Sequence, residues 1–138
     1  MEESFEIVDH TADVGIIAYG ADLNQAFANA ARALFSLITD LDDVEEFLHR
    51  DIELTASDQK SLLVAWLNQL IYLFDTENII FKRFDVTKLN NRQVKARSYG
   101  EEVDGSKHRL KTGVKAATYH MLKIDNGNGS QIQVLFDI

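Results

Sequence analysis

Between Leu62 and Phe74 the apolar residues Leu62, Leu63, Trp66, Leu67, Leu70, Ile71 and Phe74 recur at helical spacing and cover a wide stripe. A helix this apolar is stable only if other elements cover it, and in a chain of 138 residues the natural cover is a sheet. Asn68 and Gln69 interrupt the run, which is too short to cross a bilayer. Ser57 is the expected N-cap of this helix.

An earlier helix is predicted over 23–38. Asp22 caps it, Gln25 completes a capping box, and Leu23, Phe27, Ala30, Ala31, Leu34 and Ile38 form its buried face. The rest reads as strands. Short ones are expected at 5–8 and 14–19, and another at 48–54, with Ile52 and Leu54 on one face and Asp51 and Glu53 on the other. Four follow in succession, at 79–88, 93–99, 114–124 and 131–136. Asn90-Asn91 and Asn126–Gly129 are tight turns, and the polar stretches Thr39–Glu46 and Glu101–Gly113 are loops. Successive antiparallel strands after two early helices predict an α+β fold. Two helices pack on a mostly antiparallel sheet in a single compact domain over 1–138.

Composition narrows the chemistry. Without cysteine there is no disulfide, zinc–thiolate site, iron–sulfur cluster or cysteine nucleophile. The net charge of −8 argues against non-specific coating of nucleic acid. Residues 1–60 carry 14 acidic against 3 basic side chains, and residues 61–138 carry 8 against 11. The opening MEESFEIVDH has neither a basic nor an apolar leader segment, so a soluble, cytoplasmic protein with no membrane contact is expected. No GxGxxG, Walker A, HExxH or GxSxG motif is present.

Three segments remain that can carry chemistry. Asp9-His10-Thr11-Ala12-Asp13 places two carboxylates and an imidazole just before a strand. Crowded carboxylates call for a cation or a proton between them, which suits a metal or acid–base site. The same residues also suit a plain turn, with Asp9 and Thr11 bonding local N–H groups. At the other end, Asp137 and the terminal carboxylate of Ile138 follow a strand and offer hard oxygens suited to Ca²⁺ or Mg²⁺. A frayed, solvated terminus is the ordinary alternative. The third segment is Lys115 to His120. A symmetric 126–129 turn would pair Thr118 with Asp137 and put His120 diagonally beside Asp137, and a one-residue bulge would undo this.

Together these segments resemble a known family. His10-Thr11-Ala12-Asp13-Val14-Gly15 followed by Tyr19-Gly20 is similar to the opening of the archeases. Val114-Lys115-Ala116-Ala117-Thr118-Tyr119-His120 resembles their second signature, and Phe136-Asp137-Ile138 resembles their closing strand. The resemblance implies a small cytoplasmic α+β protein that activates the GTP-dependent RNA-splicing ligase. It would promote guanylylation and multiple turnover in joining 2′,3′-cyclic phosphate or 3′-phosphate ends to 5′-hydroxyl ends during tRNA splicing. It also implies a divalent cation, usually calcium, with Asp13, Asp137 and the main-chain carboxylate of Ile138 as ligands. Lys115, with His10 and His120 from the same signatures, would serve partner activation. RNA would be met only through the ligase protein, and the chain itself would not be an enzyme. Two other readings compete: a metal-dependent phosphohydrolase using Asp13, Asp137 and His120, and a chaperone-like interaction module.

Overall fold

The computed structural model describes residues 4–9 and 13–138. Strand β1 (Phe5–Asp9) and strand β2 (Asp13–Gly20) lead into helix α1 (Leu23–Ile38). A single 3₁₀ turn (Leu41–Asp43), strand β3 (Leu48–Thr55) and helix α2 (Gln59–Glu77) follow. The chain closes with β4 (Ile79–Leu89), β5 (Gln93–Glu102), β6 (Ala116–Asp125) and β7 (Ser130–Asp137). The α+β class with two helices and antiparallel pairing is as expected. The strands divide between two sheets, ordered β1-β2-β7-β6 and β3-β5-β4.

Local chemistry explains most boundaries. Asp22 accepts the Gln25 N–H at 2.9 Å, and Gln25 accepts the Ala21 N–H at 3.0 Å, so α1 begins as predicted. Helix α2 starts one residue later than Ser57 allows, because Asp58 is the cap and accepts the Ser61 N–H at 2.8 Å. A carboxylate at the N-terminus also meets the favourable end of the helix dipole. Asn78 ends α2 in the left-handed conformation (φ 56°).

The core lies between the helices and the inner faces of both sheets. Trp66, Phe27, Phe35, Phe81 and Phe136 are fully buried. The Trp66 indole N–H, isolated in this core, donates to the Phe27 carbonyl of α1 at 3.1 Å. Gly100 is required where β5 pairs with Phe81 of β4 beside a bulge, since a Cβ there would lie 1.8 Å from the Ile80 carbonyl oxygen.

Asn68 explains the polar break in the apolar run. Its amide oxygen accepts the backbone N–H of Ala117 on the edge strand β6 at 2.8 Å. A sheet edge left open invites pairing with another chain, and here a helix side chain covers part of it.

The stretch predicted as a polar loop from Glu101 differs. Strand β5 runs on to Glu102, and Glu101 is buried because a binding site for its carboxylate forms around it. Lys107 Nζ approaches at 2.8 Å, the Glu45 N–H at 2.5 Å and His108 Nε2 at 3.3 Å. Burial pushes the Glu101 carboxyl up, but the Lys107 ammonium and the Glu45 N–H outweigh it and hold it below the ordinary range. The His108 ring is buried too, accepting the Asp104 N–H at Nδ1 (2.9 Å), with Nε2 3.1 Å from the Asp43 carbonyl. From this anchor the segment 103–115 returns across the end of α1. There the N–H groups of Lys111 and Thr112 bond the carbonyls of Ile38 and Leu37. The chain is thereby delivered to the start of β6 at Ala116, so β6 begins two residues after Val114.

Candidate functional site

Strand β2 lies between β1 and β7, so the two ends of the chain meet in the middle of one sheet. Its antiparallel register with β7 pairs Asp13 directly with Asp137. Directly opposed residues of such a pair carry Cβ atoms about 4.5–5.5 Å apart and project from the same face. That face points away from the helices, because the alternating partners Val14–Phe136, Ile16–Val134 and Ala18–Ile132 fill the core. Two like charges are thus held side by side at one end of the outer face. Asp13 is half-buried and Asp137 is exposed.

The next row of this face supports the pair. Gly15 faces Leu135, and a Cβ on Gly15 would come within 2.8 Å of Leu135 Cδ2. The Leu135 side chain therefore lies over the glycine and is only 4% exposed, although it points away from the helices. The absence of a side chain at Gly15 lets a leucine pack beneath the carboxylates.

Strand β6 completes the neighbourhood. Ala116 pairs with Asp137, and the Lys115 N–H donates to the Asp137 carbonyl at 2.8 Å. The symmetric-turn register is overturned here: Thr118 pairs with Leu135 instead of Asp137. Two shifts cause this: beside the turn Asp125 pairs with Gln131, one residue off the symmetric register, and a bulge between Thr118 and Lys123 then adds residues to β6 without matching ones in β7. His120 falls inside this bulge, beyond the Thr118–Leu135 pair, and is exposed. It does not lie diagonally beside Asp137, so the register does not bring the Asp13, Asp137 and His120 trio of a phosphohydrolase into one row. Ile138, directly after β7, is 46% exposed. His10 lies outside the described residues, and Lys115 is exposed at the entry to β6.

Asp13 and Asp137 supply hard oxygens, adjacent and of like charge, at a surface end of a rigid strand pair. This donor set suits a hard divalent cation, Ca²⁺ or Mg²⁺, better than a soft one. Among the described residues no three His, Asp or Glu side chains gather into a metal-binding group.

Sequence reasoning did not anticipate Leu135 over Gly15 or the anchor at Glu101, since each depends on residues brought together from distant segments. Asn68 within an apolar helix was a visible signal of a buried polar partner. Among the described residues, no helix is long and apolar enough to cross a membrane.

Comparison with known proteins agrees with this architecture. Residues 5–138 match the model of the archease protein family. An archease from Sulfolobus acidocaldarius is 42% identical over 129 residues, covering 93% of each chain. The solution structure of a Methanobacterium thermoautotrophicum protein is 39% identical, with a TM-score of 0.84 over 98% of this chain and 99% of that one. A Thermotoga maritima crystal structure described as an archease and possible chaperone shares the fold. Its TM-score is 0.63 at 19% identity, over 95% of this chain and 94% of that one.

Proposed function

Because the chain belongs to the archease family, we propose that it is a protein cofactor that activates an RNA-splicing ligase and is not itself the ligase. The reading carries over the activation of guanylylation and multiple turnover in tRNA splicing, with the ligase protein as the direct partner. Its single strongest support is the direct pairing of Asp13 with Asp137, which places carboxylates from the opening and closing segments side by side.

Asp13 and Asp137 would hold a divalent cation, with the main-chain carboxylate of Ile138 as the third donor. Calcium suits this set of hard oxygens. When bound, the ion would neutralise the repulsion of the pair and leave coordination positions for an oxygen of the partner. The protein's own contribution is positional. The β2–β7 ladder fixes the separation of the carboxylates, Leu135 packs beneath them, and the Lys115 N–H holds the Asp137 main chain. A rigid acidic end of this kind presents charge to a basic, nucleotide-binding surface without chemistry of its own.

The test is a multiple-turnover ligation assay with and without this chain, beside Asp13→Asn. Stimulation by the wild type, its loss in the variant and no phosphoester turnover by the chain alone support the reading. Phosphoester hydrolysis without a partner overturns it in favour of an enzyme. Protection of unrelated proteins from aggregation, without ligase stimulation, overturns it in favour of a chaperone.

A further inference from the structure

Outside the carboxylate pair, the β6 bulge combines backbone strain with apolar exposure. Strands β6 and β7 keep register from Ala116–Asp137 to Thr118–Leu135 and resume it at Lys123–Gln133. Residues Tyr119 to Leu122 therefore stand against Val134 alone. Leu122 returns to the core, but Tyr119 is 58% exposed, Met121 is 49% exposed and His120 between them is exposed as well. Met121 adopts φ 55°, a left-handed conformation that side-chain-bearing residues other than Asn and Asp rarely enter. Among the described non-glycine residues only the helix-capping Asn78 shares it. The Gln133 side-chain amide holds the strained turn by donating to the Met121 carbonyl at 3.0 Å.

An edge-strand bulge can simply discourage strand pairing, but that role favours Lys, Glu or Pro over exposed Tyr and Met. Part of the β6 edge is already covered by Asn68. Strain and apolar exposure at one spot point to a contact made outside the fold.

The location indicates which contact. Gln133, Leu135 and Asp137 share one face of β7, so the bulge is tied to the face that carries the carboxylate pair. Four residues of strand separate them, roughly 14 Å. An ordinary protein interface, with about 800 Å² per partner, spans both. We propose that Tyr119 and Met121 are the apolar anchor by which this chain docks on the ligase protein, with the carboxylate pair delivered beside it. This rests on the function proposed above. The occupant is protein because Tyr and Met are typical anchors of protein interfaces. A phosphate backbone would be repelled by the adjacent carboxylates and by the net charge of −8.

The experiment titrates wild type, Tyr119→Ala, Met121→Gly and Asp13→Asn into the ligation assay and records their melting curves. Glycine accepts the φ of Met121 without strain, so Met121→Gly keeps the bulge, and its melting midpoint should not fall. Both bulge variants are expected to need about tenfold more protein for half-maximal stimulation, as for loss of an interface anchor. Asp13→Asn should instead lose maximal stimulation at every concentration. Bulge variants that act at wild-type concentrations beside an active wild type overturn the docking contact alone. A wild type that stimulates nothing overturns the functional reading itself. Bulge-dependent binding of RNA without the ligase, or a bulge-dependent dimer in sedimentation, overturns the assignment of a ligase protein as the occupant.

Discussion

Asp13 and Asp137, the first residue of β2 and the last of β7, face one another directly across the sheet. Opposed like charges oppose folding in the absence of a counter-ion, and a bound cation reverses their effect.

Metal titration is the first prediction. In metal-free buffer Asp13→Asn is expected to change stability by about 1 kcal/mol or less. Added Ca²⁺ should raise the melting midpoint of the wild type, by about 2.7 kcal/mol of stability at one hundred times the dissociation constant. The variant should lose most of that gain. Equal Ca²⁺ shifts in the two proteins would place the ion elsewhere.

Gly100→Ala tests the β4–β5 pairing. The added Cβ would lie 1.8 Å from the Ile80 carbonyl oxygen, and the colliding atom belongs to the backbone, so no side-chain rotation relieves the clash. A loss of about 3 kcal/mol or more is expected in urea unfolding. Gly15→Ala is a contrast, since its nearest neighbour is the movable tip of Leu135 at 2.8 Å. It should cost less, with its main effect on Ca²⁺ affinity at the adjacent pair.

Asn68→Leu tests the cover over the β6 edge. The Ala117 N–H loses its acceptor, and a part-buried donor left unpaired costs about 1–3 kcal/mol. Amide hydrogen exchange at Ala117 should quicken by more than exchange in the β2–β7 ladder. Uniform loss of protection, or none, would count against this role.

The anchor at Glu101 predicts the acid limb of stability. The carboxyl is held below its ordinary value of 4.5 in the folded state, with burial opposing and Lys107 and the Glu45 N–H prevailing. Its stabilisation is therefore present above pH 4.5 and is lost as the pH falls through the lower folded value. Lys107 acts at the other extreme. Its ammonium is raised above 10.5, chiefly by Glu101, so that contribution is present below pH 10.5 and is lost as the pH rises through the higher folded value. Urea midpoints of wild type and Glu101→Gln across pH 3–7 should converge at the acid end. Parallel curves would show that Glu101 is not the group responsible.

What the chain determined by itself was local. The span of α1, with its Asp22 cap and Gln25 partner, follows from side-chain spacing and from hydrogen bonds within a few residues. The strands after residue 78 follow from alternation and turn residues, and Asp13 and Asp137 stood out because carboxylates mark the two ends of the chain. Tertiary structure decided what depends on register and on distant partners. A one-residue offset at the turn and the bulge at Tyr119–Leu122 together moved His120 out of the row of Asp137, and no feature of the Asn126–Gly129 turn encodes a bulge farther along the strand. Glu101 is polar by composition yet buried, because Lys107, His108 and Glu45 meet it only after the segments at 40–46 and 103–115 pack together. Side-chain pattern is set over a few residues, whereas which strand pairs with which, and in what register, is set by burial summed over the whole core.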